Sequence, residues 1–288
     1  MEWKAPSPLD YFAALVSQDD GFPLTEAAAS LAQDEDPDLD LEGVLGRIDR
    51  MTSNLRGRLP SDASPLHRMR ILHRFFFEEL GFAGNVNDYY NPANSHLHEV
   101  LRTRRGIPIT LAVLYIELAQ QIGLKAVGLS FPGHFLVKVT LPQGDAVIDP
   151  LSGQSLSREA LDERLEPFVQ RRRRSVSDPS NERLLANFLV PATPREIIAR
   201  MLRNLEAIHR ESEDWPRLLA VLDRLVILLP QDWDWRRERG LTHAELGRTP
   251  EAIEDLSAYL DHAATSADHD RVAARLQALR EAGPTRWH

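Results

Sequence analysis

The 288-residue sequence contains no cysteine. This absence excludes disulfide bonds, thiolate metal sites and cysteine nucleophiles, and it fits a reducing compartment. No apolar run reaches about 18 residues, the length that a membrane-spanning helix needs. The first residues, Met1–Lys4, are not followed by the apolar stretch of a signal peptide. We therefore expect a cytoplasmic protein with no membrane partner.

Positive charge is also scarce. The chain has 34 Lys and Arg against 43 Asp and Glu, a formal net charge of −9. This acidic balance argues against direct binding to nucleic acid, and no basic recognition helix of a helix-turn-helix is evident. With 43% hydrophobic residues, the length is sufficient for two domains with their own cores.

The most informative stretch runs from Arg104 to Asp149. Apolar residues at helical spacing predict a helix over Ile109–Gln121, with Pro108 suited to its first turn and Gly123 to its end. Alternating and β-branched residues predict three strands of an antiparallel sheet, and Pro132-Gly133 predicts the turn between the first two. These strands are Val127–Ser130, Phe135–Leu141 and Ala146–Ile148.

This order of elements resembles the transglutaminase-like (papain-like) core, in which a cysteine opens a helix, a histidine starts the next strand and an aspartate ends the strand after it. The resemblance implies that His134 and Asp149 occupy the second and third positions of a relic catalytic triad. The nucleophile position would fall at Pro108, Ile109 or Thr110. Proline and isoleucine carry no nucleophile, and a threonine hydroxyl needs a strong base within hydrogen-bond reach.

Four motifs narrow the resemblance to a bacterial family described as regulators of sirC expression, with a transglutaminase-like domain followed by tetratricopeptide repeats. This resemblance implies an α+β fold: a mostly helical, papain/transglutaminase-like core with a small antiparallel sheet, then an all-α tetratricopeptide-like helical-hairpin region. The motifs are Asp88-Tyr-Tyr-Asn-Pro-Ala-Asn-Ser95, Arg104-Arg-Gly-Ile-Pro-Ile-Thr-Leu111, Phe131-Pro-Gly-His-Phe135 and Ile148-Asp-Pro150.

The second half of the chain indicates paired helices. Gly240 and Ala252 are spaced like the small residues of one repeat of about 34 residues, where two helices approach closely. We expect domain 1–190 to be transglutaminase-like, with helices at its N-terminus, and domain 191–288 to hold about two repeats and a capping helix. The predicted repeat helices are Glu196–Arg210, Trp215–Leu229, Trp233–Leu246, Pro250–His262 and the cap Asp268–Ala282.

Several polar residues near the predicted pocket have two interpretations. Asn94 or Ser95 either caps a short helix or contacts a ligand. One of Arg104 and Arg105 either pairs with a carboxylate near the pocket, binds an anionic ligand or is solvated. Pro108, Ile109 and Thr110 are expected to line the pocket, and its floor is apolar if Ile107 or Ile109 lies at the nucleophile position. The acidic loop Asp34–Asp40 is expected to be solvated. The run Arg171–Arg174 is expected to form an exposed loop or linker, with an anionic partner as the alternative.

A metal site is the remaining possibility for the histidines. His96-x-His98 has a spacing seen in metal sites and could join His134, Asp145 or Asp149. Residues two apart on a helix point to different sides, however, so we expect neither metal nor cofactor.

Two functions of different classes follow. The first is a catalytically incomplete interaction or regulatory protein that binds a protein or peptide through its repeats and its relic pocket, where a small ligand is also possible. The alternative is a hydrolase that uses His134 and Asp149 to activate water or a hydroxyl, with Thr110 or Ser95 assisting. The missing cysteine favours the first. A role as transcriptional regulator would rest only on the name of the family.

Overall fold

The computed structural model of the chain describes residues 6–18, 21–173, 181–262 and 268–282. The chain forms two compact units, called here the core unit and the repeat unit. The core unit comprises Asp20–Ala32 and Asp38–Met201. The repeat unit comprises Met1–Asp19, Gln33–Pro37 and Leu202–His288. The domain division at residue 190 stays a prediction.

Helices dominate both units. The first five in chain order are α1 (Pro8–Leu15), α2 (Leu24–Ser30), α3 (Leu41–Arg56), α4 (Pro65–His73) and α5 (Leu97–Thr103). They are followed by α6 (Pro108–Gln121), α7 (Arg158–Arg173), α8 (Asn181–Phe188) and α9 (Pro194–Glu211). The last four are α10 (Trp215–Leu228), α11 (Trp233–Glu245), α12 (Thr249–His262) and α13 (His269–Ala282).

Helix α6 is the central helix of the core unit. Pro108 occupies its first turn, as predicted, and Gly123 follows its end with a φ of 78°. Leu111, Leu114 and Leu118 are fully buried. A helix that is apolar nearly all round is surrounded by other elements, and α6 packs against α2, α3 and the sheet.

The main sheet is antiparallel with strand order β3-β4-β5-β6. Its three long strands confirm the three predicted strands and extend each of them. The β3–β4 hairpin closes at the pair Phe131 and His134, and Gly133 in its turn has a φ of 65°. The short strands were not predicted, since two residues carry no periodic signal. The strands are β1 (Ala83–Gly84), β2 (Arg105–Gly106), β3 (Lys125–Phe131), β4 (His134–Leu141), β5 (Gly144–Ile148) and β6 (Ser155–Leu156).

The edge of β3 that does not pair with β4 is contacted by other segments of the chain. Pro191 bridges Leu129, and the Ala192 amide donates to the Gly128 carbonyl at 2.8 Å. Gln120 donates its side-chain amide to the Ala126 carbonyl at 3.0 Å. These contacts use carbonyls that would otherwise be open to pairing with another strand.

A π-helical segment, Arg74–Glu79, continues α4, although Leu66, Met69, Leu72, Phe76 and Leu80 recur at the spacing of one regular helix. The Leu80 amide donates to the Phe75 carbonyl, five residues back, at 2.9 Å. The wider turn buries Phe75 and Phe76. Such turns carry no periodic signature of their own, so the sequence favoured a regular helix there.

The repeat unit is built from helical hairpins. α11 packs against α10 and α12, α13 packs against α12, and α1 packs against α10. A Cβ atom on Gly240 would lie 2.9 Å from Leu256, which confirms that α11 and α12 approach closely at this residue. Among the described residues, no helix combines the length and the apolar character needed to cross a bilayer.

The acidic loop also contributes to the repeat unit. Asp34 accepts from the Arg224 guanidinium at 2.8 Å, and Arg224 is fully buried with its guanidinium over the Phe12 ring. Glu35 lies 3.3 Å from His209. The prediction of a merely solvated loop is therefore wrong for Asp34, because an arginine 190 residues away is buried against it.

Candidate functional site

His134 and Asp149 lie together on one face of the main sheet. In the β4–β5 register, Val137 faces Ile148, so the next position places Asp149 opposite Leu136. His134 is two residues from Leu136 and therefore a diagonal neighbour of Asp149 on the same face. The His134 Nε2 atom is 2.9 Å from Asp149 Oδ1.

The Asp149 carboxylate has two further donors. The Leu151 amide donates to Oδ1 at 3.0 Å and the Arg164 guanidinium donates to Oδ2 at 2.9 Å. Burial by itself would raise the pKa of this carboxyl, which is 5% exposed, but the bonds and charges of His134, Leu151 and Arg164 lower the pKa to about 2. Asp149 is therefore an anion at neutral pH.

The turn after β5 fixes the backbone at Asp149. The Gly153 amide donates to the Asp149 carbonyl at 2.8 Å, and Gly153 has a φ of 73°. Phe77 and His73 cover this glycine closely, since a Cβ atom there would lie 2.9 Å and 3.0 Å from them. The aspartate thus projects from a tightly packed turn.

The predicted nucleophile position is buried and offers no hydroxyl to the histidine. Pro108, Ile109 and Thr110 form the first turn of α6, and all three are buried. The Thr110 hydroxyl is within hydrogen-bond distance of the Asn94 carbonyl (2.8 Å) and the Ile107 carbonyl (3.0 Å). Its single proton is thus directed to backbone oxygens.

Asn94 organises the loop before α5. Its side-chain amide donates to the Asp88 carbonyl at 2.6 Å and the Tyr89 carbonyl at 3.2 Å, and its oxygen accepts from Asn85 at 3.0 Å. Ser95 is 1% exposed, and its hydroxyl has no hydrogen-bond partner among the described residues.

The predicted cap of α5 is wrong. The residue at the cap position is His96, and its side chain does not cap the helix. Asn94 is already committed to the preceding loop through Asp88 and Tyr89, so it does not reach the amides of α5.

Arg105 bonds to the backbone and not to the His134–Asp149 pair. Its guanidinium donates to the Gly81 carbonyl at 2.7 Å and the Arg104 carbonyl at 3.0 Å. Arg104 adopts a left-handed conformation with a φ of 61° and lies over the Phe82 ring. These contacts tie the start of β2 to the end of the π-helical segment.

Two arginines that sequence reasoning missed support the site. Arg164 on α7 binds Asp149, as described, and Arg200 on α9 donates to the His134 carbonyl at 2.7 Å and the Phe131 carbonyl at 3.3 Å. Phe168, also on α7, packs on Gly133 in the hairpin turn. An arginine in a helix gives no sequence signal for such a role, because its partner is far away in the chain.

His96 and His98 lie beside each other and beside Glu99. The rings of His96 and His98 are 5.9 Å apart, and His98 lies 3.6 Å from Glu99. In the part of the chain that the structure describes, no three His, Cys, Asp or Glu side chains are grouped as metal ligands.

Of the arginine run, the backbone of Arg171–Arg173 continues α7, against the prediction of a loop, and Arg174 lies outside the described residues.

Comparison with known proteins identifies the family. Residues 42–203 match the Transglutaminase-like superfamily, and residues 205–277 match a tetratricopeptide repeat family. A UPF0162 protein of Xylella fastidiosa (strain Temecula1) is 35% identical over 259 residues, covering 90% of each chain. The UPF0162 protein YchA of Escherichia coli (strain K12) is 26% identical over 226 residues, covering 78% of this chain and 80% of that protein.

A further similarity is local. F-box only protein 21 of Mus musculus is 44% identical over 62 residues, which cover 22% of this chain and 10% of that protein. The predicted fold class and family are confirmed by the matches along the chain. With the His134–Asp149 pair on a transglutaminase-like scaffold and helical repeats after it, the chain belongs to the UPF0162 family of bacterial transglutaminase-like proteins with tetratricopeptide repeats.

Proposed function

We propose that this protein is a catalytically incomplete transglutaminase-like protein that acts as an interaction or regulatory module in the cytoplasm. It binds a protein or peptide through the repeats and through the relic pocket at His134. The combination of a transglutaminase-like domain with tetratricopeptide repeats supports a role in protein interaction.

The observation that carries this proposal is the chemistry at the start of α6. The chain contains no cysteine, and the first turn holds a proline, an isoleucine and a threonine. The only hydroxyl among them, on Thr110, is within hydrogen-bond distance of two backbone carbonyls inside the core. Covalent catalysis needs a nucleophile paired with a base, and this turn presents none to His134.

The second candidate is a hydrolase that activates water, and one observation favours it. The imidazole is hydrogen-bonded to an ionised carboxylate, which orients the ring. Water could serve as the nucleophile without any side chain of α6.

An activity test separates the two candidates. The full-length protein and a His134→Ala variant are incubated with casein, and both ammonia release and new amino termini are measured. The interaction role predicts rates equal to those of the buffer for both proteins. Turnover that disappears in the His134→Ala variant would reject the incomplete site and establish the hydrolase.

A binding test addresses the interaction role directly. The purified chain is cross-linked in a bacterial extract with a lysine-reactive reagent and a carboxyl-reactive reagent, and the cross-linked peptides are identified by mass spectrometry. We expect reproducible cross-links from one partner to the repeat unit and to the neighbourhood of His134. If no protein is cross-linked above the level of an unrelated control of equal charge, the interaction role is wrong.

A further inference from the structure

We infer that Arg47, Arg104 and Arg105 form a surface site for a phosphate group, either inorganic phosphate or the phosphate of a small monoester. All three residues belong to the core unit. The site does not involve the His134–Asp149 pair, and the inference does not depend on the proposed function.

The Arg104 guanidinium lies on neutral groups. Its Cζ atom is 4.7 Å from the centroid of the Phe82 ring, and its Nη1 atom is 3.9 Å from the Met51 sulfur, a weak acceptor. A guanidinium carries five N–H donors in its plane, whereas an aromatic ring contacts only its face. Among the described residues, the Met51 sulfur is the one atom to which this partly buried side chain donates, so most of its donors can serve a ligand.

A second guanidinium lies near Arg104. Arg47 and Met51 are four residues apart on α3, so their side chains lie one turn apart on the same face of the helix. Arg104 touches Met51, and its pKa is lowered by burial and by the charge of Arg47. The nearest acidic residue in the sequence, Glu99, is bonded to Arg102 at 2.6 Å. That carboxylate therefore neutralises a different arginine.

Arg105 adds a third guanidinium from the adjoining position. Its Nη1 atom donates to the Gly81 carbonyl at 2.7 Å and to the Arg104 carbonyl at 3.0 Å. These bonds hold the group beside the backbone that leads into Phe82, the ring on which Arg104 lies. Within the described parts of the chain, nothing accepts from its Nε or Nη2 atoms, and the side chain is exposed.

The backbone of Arg104 is fixed before a ligand arrives. Its φ of 61° is a left-handed conformation that residues other than glycine rarely adopt. The Arg104 amide closes α5 on the Val100 carbonyl at 2.9 Å, and its carbonyl accepts from the Ala83 amide at 3.0 Å. A side chain that projects from such a tied position loses little conformational entropy when it binds a ligand.

A phosphate group matches these donors in charge and in shape. A phosphate monoester carries a charge of about −1.5 to −2 at pH 7 and three acceptor oxygens, and arginine forks bind such groups through paired hydrogen bonds. A carboxylate has one charge and two oxygens, which a single arginine satisfies. Nucleic acid is a poorer match, because its binding proteins carry extended basic surfaces and this chain has a net charge of −9.

The experiment titrates the full-length chain in a calorimeter at constant ionic strength. The probes are inorganic phosphate, N-acetyl-phosphoserine methylamide and acetate. We expect one phosphate group to bind per chain, and acetate to bind about tenfold more weakly, because it carries less charge and fewer oxygens. Binding of either phosphate probe supports the site, and the tighter of the two identifies its source.

Three variants test the assigned residues. Arg104→Gly suits the φ of 61° and should therefore fold, which thermal unfolding checks, while phosphate binding weakens about tenfold. Arg47→Gln should weaken binding about threefold, since it removes one charge beside the site. Arg248→Gln is the matched control, because it removes the charge of an exposed arginine in the repeat unit, and it should leave the affinity unchanged.

Four results would overturn the inference. They are the absence of saturable binding of either phosphate probe, equal affinity for phosphate and acetate, full affinity in a folded Arg104→Gly variant, and an equal loss of affinity in Arg47→Gln and Arg248→Gln. The third result would leave Arg104 as a packing residue on Phe82 and Met51.

Discussion

Two clusters of histidine and carboxylate side chains, one in each unit, use the same residue types in different ways. In the core unit, Asp149 is shared between His134 and Arg164, and the imidazole stays partly exposed. In the repeat unit, both oxygens of Asp255 are bound by Arg239, at 2.6 Å and 2.8 Å.

His243 lies in the second cluster, is buried, and has an Nδ1 atom without a partner among the described residues. Burial lowers its pKa, although Asp255 and Asp223 oppose that shift. In the core unit the carboxylate thus orients a partly exposed imidazole through a direct hydrogen bond. In the repeat unit the carboxylate is bound by arginine, and the nearby histidine is buried with a lowered pKa.

The largest expected effect comes from breaking the buried pair of the repeat unit. Asp255→Ala leaves the Arg239 guanidinium without its bidentate partner and should lower the free energy of unfolding by about 3 kcal/mol. Urea unfolding followed by tryptophan fluorescence measures this, since Trp233 and Trp235 lie on α11 beside the pair. Asp261→Ala on the same helix is the matched control, because that residue is exposed. A similar loss in both variants would contradict the pairing.

The corresponding change in the core unit should lower the free energy of unfolding by less than Asp255→Ala does. Asp149→Ala removes a carboxylate that accepts from His134, Leu151 and Arg164, and we expect a loss of about 2 kcal/mol in the free energy of unfolding. The loss is smaller because Arg164 is partly exposed and water can solvate it. Asp145→Ala is the control, since this side chain is half-exposed on β5, the strand that leads to Asp149. An equal loss from Asp145→Ala would show that the hydrogen bonds of Asp149 contribute nothing specific.

The turn that carries Asp149 can be tested without touching the carboxylate. Gly153→Ala adds a Cβ atom at a φ of 73° and within about 3 Å of Phe77 and His73. It should lower the free energy of unfolding by about 2 kcal/mol. Gly247→Ala has nearly the same φ, 70°, with open space around it, and should lower the free energy of unfolding by about 1 kcal/mol. Thermal unfolding of the two variants gives the difference, which isolates the packing against Phe77 and His73. Equal losses would refute a tight fit at this turn.

The smallest effects are in the pH dependence, and they separate the two clusters. The pKa of Asp149 is lowered to about 2 from 3.8, so its stabilisation is complete above pH 3.8 and is lost as the pH falls toward 2. The pKa of His243 is lowered by burial from 6.5, so the unfolded chain takes up that proton first and stability declines as the pH falls below 6.5. Burial raises the pKa of Asp223 from 3.8, so the folded chain binds this proton more readily than the unfolded chain. Protonation of Asp223 therefore increases stability as the pH falls toward that pKa.

Hydrogen exchange in α11 between about pH 7.5 and 5.5, corrected for the intrinsic rate, measures this decline. His243→Leu should flatten the pH dependence in α11. A decline of the same size in that variant would show that another group titrates.

Local patterns predicted much of the fold. The 3.6-residue spacing of Leu111, Leu114 and Leu118 located α6 to within one residue, and the alternation in Phe135–Leu141 located β4. Both patterns arise from short-range geometry that any stable fold must satisfy. The π-helical segment and the two-residue strands were missed because their hydrogen bonds depend on neighbours in space.

The candidate site was likewise predicted in part from the sequence and decided in part by the tertiary structure. The sequence by itself determined that His134 begins a strand, that Asp149 follows the next one, and that no cysteine nucleophile exists, because these are matters of residue identity and of strand alternation. Only the tertiary structure decided that Arg164 and Arg200 hold the pair and that the Thr110 hydroxyl points to backbone carbonyls. These contacts join residues that lie 15 to 66 positions apart in the chain, and such distances are set by the packing of whole helices against the sheet.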